Sequence, residues 1–202
     1  MGEGYPPAGR LSRQKVLKVP TSPFTAEKVN PKHTDIAGIY VDLGNAYKSM
    51  GDYAKGEKSF RGALSRAENT PKNIEGVRVA VGNLAEVCDK QGKHEEAERL
   101  YLREIRIMEE NSRENGLYKV WIAYPLAYLA EIYRKQGRTE ESERLFNRSL
   151  AAMNAAKLNN SSVPETMENY AQLLRQVGKT QEAEKLTMEA KARRAGLPKG
   201  GF

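Results

Sequence analysis

Four glycines, Gly51, Gly92, Gly137 and Gly178, stand 41, 45 and 41 residues apart, and the same apolar pattern surrounds each of them. Before each glycine lies an apolar pair four residues apart: Leu43/Tyr47, Leu84/Cys88, Leu129/Tyr133 and Tyr170/Leu174. After each comes a small residue followed four later by a larger one: Gly56/Phe60, Ala97/Tyr101, Ser142/Phe146 and Ala183/Thr187. Spacings of three and four place these residues on single helix faces. A glycine between two such faces marks a turn, so each copy reads as a helical hairpin. Its two helices cross closely at the small residue, and the bulky side chain fills the gap to the next hairpin. Gly82–Met108 holds one complete unit, turning at Gln91-Gly92-Lys93. Copies in register that bury their apolar faces only against neighbours specify a stack of hairpins rather than a single central core.

This pattern resembles the tetratricopeptide repeat. The run of bulky residue, Leu-Gly, Tyr, small residue, Phe and Ala appears in the first copy as Tyr40, Leu43-Gly44, Tyr47, Gly56, Phe60 and Ala63. Later copies keep it as Leu84-Ala85, Leu129-Ala130 and Tyr170-Ala171. The period exceeds the family's usual value of about 34, and the long form is similar to the repeats of kinesin light chains. Asn83-Leu84-Ala85, Gly92 to Glu98 and Asn169-Tyr170-Ala171 share that flavour. No heptad region appears ahead of the first hairpin, so a kinesin light chain itself is not the expectation. The resemblance implies an all-α, right-handed α-solenoid of four hairpins, about eight helices, over residues 33–195. The copies are expected at about 34–69, 70–115, 116–160 and 162–195.

Residues 1–32 form a different region. They carry five of the nine prolines and no helical period, which predicts an irregular arm. Residues 196–202 are a short tail. The net charge of +7 belongs to the ends: +4 lies in 1–32 and +4 in 185–202, while 33–184 holds 22 basic against 23 acidic side chains. A nucleic-acid face on the folded body therefore has little support. Arg10, Arg13, Lys15 and Lys18, interleaved with Leu11, Val16, Leu17 and Val19, are the candidate arm contacts for a partner or an anionic surface.

No run reaches the roughly 18–20 apolar residues of a membrane span, and the N-terminus lacks a signal-peptide core. The expectation is a soluble, cytoplasmic chain, and a mature exported form with its leader removed has the same composition. The one cysteine, Cys88, precludes an internal disulfide framework and stands at an inward position, where a small buried hydrophobe is expected. Neither His33 nor His94 has neighbours that suggest a triad or a metal site, and there is no Gly-rich phosphate loop. Glu95, Glu96, Glu140 and Glu141 read as first-turn acids favoured by the helix dipole, with i, i+4 pairs Glu95/Arg99 and Glu140/Arg144. No catalytic residue, metal or cofactor is expected.

Boundary signals are Pro71 at a helix start, a capping box from Ser162 to Glu165, Thr139 and Thr180 as caps of second helices, and Pro125 restarting a helix near Trp121.

Function is then expected on the wall lined by the first helix of each hairpin, as the resemblance implies. The groove candidates are Asn45, Lys48, Asn83, Lys90, Tyr124, Arg134, Lys135, Gln172 and Arg175. The rows Lys48, Asp89, Arg134, Arg175 and Ser49, Lys90, Lys135, Gln176 hold five cations against one acid, which suits an extended, acidic peptide of a partner protein. Co-chaperones of the carboxylate-clamp type carry two amides and three cations on these helices. Asn45 and Asn83 match the amides, but Val41, Tyr124 and Tyr128 replace the cations, so clamp recognition is not expected. Alternative readings are a subunit of a larger assembly anchored through the arm, and RNA or anionic-membrane binding through the basic ends.

Overall fold

The computed structural model describes residues 36–196, which leaves the arm and its four candidate contacts outside the described residues. The helices are α1 (Ile36–Ser49), α2 (Tyr53–Glu68), α3 (Ile74–Lys90), α4 (His94–Asn111), the short α5 (Tyr118–Trp121), α6 (Ala123–Lys135), α7 (Thr139–Ala155), α8 (Ser162–Gln176) and α9 (Thr180–Ala195). There is no strand among the described residues. Helices α1/α2, α3/α4, α6/α7 and α8/α9 pair as hairpins, and each hairpin stacks on the next. The result is an α-solenoid.

Each hairpin turns in the same way. The turn glycines all have left-handed backbone, with φ of 75°, 76°, 76° and 78°. At each one the glycine N–H and the following N–H donate back to the helix just ended. In the second hairpin these bonds are Gly92 N to Asp89 O at 2.9 Å and Lys93 N to Cys88 O at 2.9 Å, and the other three turns repeat them. This double bond is the Schellman closure, which satisfies carbonyls that a helix end leaves unpaired. A Cβ at any of these glycines would meet no atom within 4 Å. The requirement there is conformational and not spatial, and an L side chain in this region costs about 1–2 kcal/mol.

The crossing points behave differently. Gly56 is buried, and a Cβ placed on it would lie 3.5 Å from the Gly44 carbonyl oxygen. One hairpin later Ala85 and Ala97 are fully buried, and in the third Ser142 Oγ donates to the Ala130 carbonyl at 2.7 Å. Phe60, Tyr101 and Phe146 are the largest fully buried side chains and fill the spaces between hairpins. Gly44 makes room for the first of them, because a Cβ there would come within 2.5 Å of the Phe60 ring. Thr187 takes the corresponding place in the last hairpin, where its hydroxyl donates to the Ala183 carbonyl. With no hairpin described beyond it, α9 buries only Ala183 and Ala190.

Several boundary expectations need correction. Helix α3 begins after Pro71, at Ile74, and is capped by Asn73, whose Oδ1 accepts from the Gly76 N–H at 3.0 Å. The turn ahead of it places Lys72 at φ 59°, which moves the helix start past the proline. The Ser162–Glu165 capping box does not form. Instead the Ser162 N–H donates to Asn160 Oδ1, and Ser161 occupies the cap without a side-chain bond. Thr139 and Thr180 are the first helical residues rather than caps. The expectation for Pro125 holds: α5 ends at Trp121, α6 starts at Ala123, and Pro125 lies in its first turn. In that turn its missing N–H would have no intrahelical partner anyway.

The carboxylate expectations also shift outward. Glu95, Glu96, Glu140 and Glu141 do lie in the first turns of α4 and α7. Neither Glu95 with Arg99 nor Glu140 with Arg144 is among the described ion pairs, however, and one recurring set of pairs links successive hairpins instead. Lys93 pairs with Glu57 at 2.6 Å, Arg138 with Glu98 at 2.8 Å and Lys179 with Glu143 at 2.6 Å. In each, the residue after one turn glycine meets the sixth residue after the preceding turn glycine. Tyr133 and Tyr170 hydroxyls donate to the same Glu98 and Glu143. Bonds from Lys93, Arg61 and Gln91 outweigh burial and hold Glu57 down at about 2.

Truncating a stacking ring leaves a cavity that the neighbouring helices only partly close. Phe60→Ala is expected to lower stability by about 3–5 kcal/mol, and Gly137→Ala by about 1–2 kcal/mol through its left-handed φ. Urea unfolding followed by circular dichroism measures both. A Phe60→Ala loss below that of Gly137→Ala contradicts the stacking role.

Candidate functional site: the inner wall

The first helices α1, α3, α6 and α8 form one face of the stack, with α1 touching α3 and α6 touching α8. Two cavities open on it. One, of about 140 Å³, lies between the end of α3, α6 and α8, and is lined by Asp89, Lys90, Ala127, Glu131, Lys135 and Glu165 among others. The second, of about 180 Å³, lies between α3, α4 and α6, with Arg78, Gly82, Asn83, Glu86, Tyr101 and Glu104 in its wall. Tyr124 and Tyr128, one helical turn apart on α6, line both cavities and form the ridge between them. Tyr128 is 46% exposed and stacks on Tyr101 with ring centroids 5.6 Å apart.

Of the sequence candidates, Lys90, Tyr124 and Lys135 come together at the first cavity, and Asn83 and Tyr124 at the second. The others are placed differently. Lys48 Nζ donates to Glu86 at 2.7 Å and to Asn83 Oδ1 at 3.2 Å. Asn83 Nδ2 in turn donates to the Val79 carbonyl, so this amide is engaged at both ends by its own chain. Arg134 makes a two-pronged pair with Glu131 at 2.7 and 2.8 Å. Arg175 donates to Thr187 on α9, away from both cavities. Asn45 and Gln172 are exposed and line neither. The apparent excess of cations is thus partly neutralised within the chain: counting along single rows leaves out Glu86 and Glu131, which sit one turn ahead of Lys90 and Lys135.

The tyrosine ridge lies in a field of carboxylates. Burial is the largest influence on Tyr128, and Glu86, Glu165 and Glu104 add to it, so its phenol is pushed up to about 12. Tyr101 shifts in the same direction, chiefly from burial, with Asp89 and Glu86 next. Tyr124 accepts a hydrogen bond from Asn160 at 3.1 Å, which fixes its hydroxyl.

Sequence reasoning missed Arg78 and Glu104. Glu104 is 6% exposed, and its carboxyl lies against Gly82, where a Cβ would come within 2.6 Å of Oε1. Arg78 Nη1 reaches it at 3.2 Å. The same guanidinium is bound more closely by Glu75, at 2.5 and 2.9 Å, and lies 5.2 Å from the Trp121 ring centre. Burial dominates over this shared partner, so the Glu104 carboxyl is pushed up to about 7.

Away from the inner wall, Glu57, Cys88 and Glu96 bring potential ligand atoms within 4.8 Å of one another. Their carboxylates already accept from Arg61, Lys93 and Gln91. The fully buried Cys88 thiol is pushed up to about 11, first by burial and then by those carboxylates. The thiolate needed by a ligand or nucleophile is disfavoured there. No helix among the described residues is long and apolar enough to cross a membrane.

The sequence profile described as tetratricopeptide repeat matches residues 35–110 and 121–194. The chain belongs to the tetratricopeptide repeat family. No curated protein matches it. Solved structures share the fold of this repeat protein at low identity. BtubC (BKLC) from P. vanneervenii is 20% identical over 90% of this chain and 91% of its own, with a TM-score of 0.54. The putative kinesin light chain repeats of Podosopora anserina are 18% identical over 86% and 84%, at 0.64. The apo form of RapI is 13% identical over 85% of this chain and 61% of its own, at 0.72.

The buried carboxyl has a measurable consequence. Unfolded, Glu104 titrates near 4.5; folded, near 7. Between those values the folded state holds a proton that the unfolded state lacks, so stability falls as pH rises through the window. Every tenfold change in proton affinity between the two states corresponds to about 1.4 kcal/mol. Glu104→Gln removes this dependence and is expected to be the more stable protein at pH 8, by up to roughly 3 kcal/mol. Thermal melts from pH 4.5 to 8 check it, and parallel curves for the two proteins contradict the assignment.

Proposed function

We propose that this repeat protein is a non-catalytic interaction module that holds an extended segment of a partner protein along its inner wall. The observation that carries this reading is the pair of cavities flanking the Tyr124/Tyr128 ridge. In an extended chain successive side chains point to opposite sides, so neighbouring residues of one segment fall on the two sides of the ridge. Tyrosine suits such a surface because it combines a large apolar face with a polar tip and loses little conformational freedom.

The first cavity is lined by Asp89, Glu131 and Glu165 as well as by Lys90 and Lys135, and the two lysines are the groups on its rim that would meet carboxylates of the ligand. Lys90 and Lys135 are exposed there, and the nearest ion-pair distance of Lys135 is 3.8 Å, to Glu131. Lys48 and Arg134 already have close carboxylate partners, so the selectivity for acidic segments is assigned to Lys90 and Lys135.

Selection of displayed random peptides on the full chain tests the reading. Enriched peptides are expected to carry Asp or Glu and to lose about tenfold in affinity against Lys90→Glu/Lys135→Glu, about 1.4 kcal/mol. The melting behaviour should be unaltered, since neither side chain is buried. Peptides without acidic residues that bind the double variant equally well remove the acidic-segment reading, and no enrichment at all removes the groove.

A further inference from the structure

Hairpin two departs from the other three at two facing positions. The twelfth residue after the turn glycine is Ala63, Ser149 and Ala190 in the first, third and fourth hairpins, and Glu104 in the second. The fourteenth residue before it is Ala37, Ala123 and Pro164 in those three, and Arg78 in the second. Ala63, Ser149, Ala190 and Ala123 are all fully buried, so the second hairpin carries ionisable groups where the repeat elsewhere packs small side chains. Repeats departing from their own local rule mark positions with a purpose other than packing.

The Glu104 carboxylate is poorly compensated where it sits. More than nine-tenths of the side chain is buried. Oε1 receives one bond, from Arg78 at 3.2 Å. Oε2 receives none among the described residues and, since no fully buried side-chain oxygen there lacks a partner, reaches the open cavity. Arg78 is shared with Glu75, which also accepts from the Tyr118 hydroxyl at 2.7 Å. The two carboxylates and one guanidinium leave a negative charge unbalanced whenever Glu104 ionises. Removing a carboxylate from water without a matched partner is costly, and the cavity beside it opens onto the inner wall. The groups facing Glu104 are Arg78 and Glu86 from α3, Tyr101 from its own helix, and Tyr124 and Tyr128 from α6. On the far side, Glu86 is balanced by Lys48 from α1. Tyr128, half-exposed and stacked on Tyr101, lines the same cavity, and an aromatic ring beside a cation attracts it.

We propose that this second cavity seats a cationic side chain, lysine or arginine, of the segment bound along the inner wall, with Glu104 as its counter-charge and Tyr128 as its aromatic side. The proposal rests on the groove reading and adds to it. With Lys90 and Lys135 at the rim of the first cavity, the segment carries an acidic and a basic residue on opposite sides of the tyrosine ridge. Gly82 is what admits the carboxylate to this position, since any side chain there would displace it. Seating a cation favours ionised Glu104, so binding releases a proton and strengthens as pH rises through about 7.

The test uses single capped amino acids, which need no peptide groove. N-acetyl-lysine methylamide, its arginine counterpart, and capped norleucine and glutamate are titrated into the full chain while the Tyr101 and Tyr128 ring resonances are followed by NMR. Saturable shifts are expected with lysine and arginine alone, severalfold tighter at pH 8 than at pH 6. Glu104→Gln should weaken them about tenfold and abolish the pH dependence. If Glu104→Gln does not fold, Tyr128→Leu leaves the carboxylate in place, and a severalfold loss of lysine binding is expected. Norleucine binding as well as lysine, equal binding by either variant, or no saturable shift with either cation overturns the proposal. Capped lysine seated at the cavity with no peptide captured defeats only the groove reading. Peptide captured while capped lysine leaves Tyr101 and Tyr128 unmoved defeats only the cation site.

Discussion

Every hairpin depends on two backbones approaching where their side chains are smallest. Gly44 meets Gly56, Ala85 meets Ala97, Ala130 meets Ser142 and Ala171 meets Ala183, each pair twelve residues apart with a left-handed glycine between. The close approach brings opposed helix faces within reach of one ring, and Phe60, Tyr101 or Phe146 then spans the gap to the next unit. Larger residues at the crossing would separate the helices and leave those rings without walls. The turn, the crossing and the ring are one device repeated, which is why the stack needs no central core.

Stacking by apolar contact alone leaves the relative rotation of hairpins weakly specified, and the ion pairs supply direction. Lys93–Glu57, Arg138–Glu98 and Lys179–Glu143 recur at one position in each interface. They are directional, and the tyrosine hydroxyls of the inward pairs reinforce two of them. These pairs lie beside the turn glycines and outside the lining of the two inner-wall cavities. The inner wall's two cavities flank Tyr124 and Tyr128 of the third hairpin, and in the second hairpin Arg78 and, from its second helix, Glu104 replace small residues.

The repeat is legible because it is written locally. Each hairpin shows its own apolar spacing, small residue and turn glycine, and the family pattern covers the chain. Helix starts are less legible. Asn73 rather than Pro71 caps α3, and Asn160 displaces the Ser162 box, because competing caps a few residues apart are decided by how the loop packs. The groove is legible as a face and not as a site. Lys90, Lys135 and Tyr124 follow from their place on the first helices. Lys48 and Arg134 look like available cations along single rows, although Glu86 and Glu131 hold them. Glu104 escapes sequence reasoning altogether, since it lies on a second helix, on the side assigned to packing. Aligning the four hairpins on their turn glycines exposes it as the one acid among small residues.

By itself the sequence determined that this protein is a stack of four helical hairpins, because period, turn and crossing are set by residues adjacent in the chain and repeat in register. Only the tertiary structure decided which charges face one another across hairpins, and so which cations remain available to a ligand. Those pairings join residues 35 or more positions apart, at distances set by the stacking angle. The same packing placed a buried carboxyl beneath Gly82 and against the tyrosine ridge, joining two hairpins in one surface.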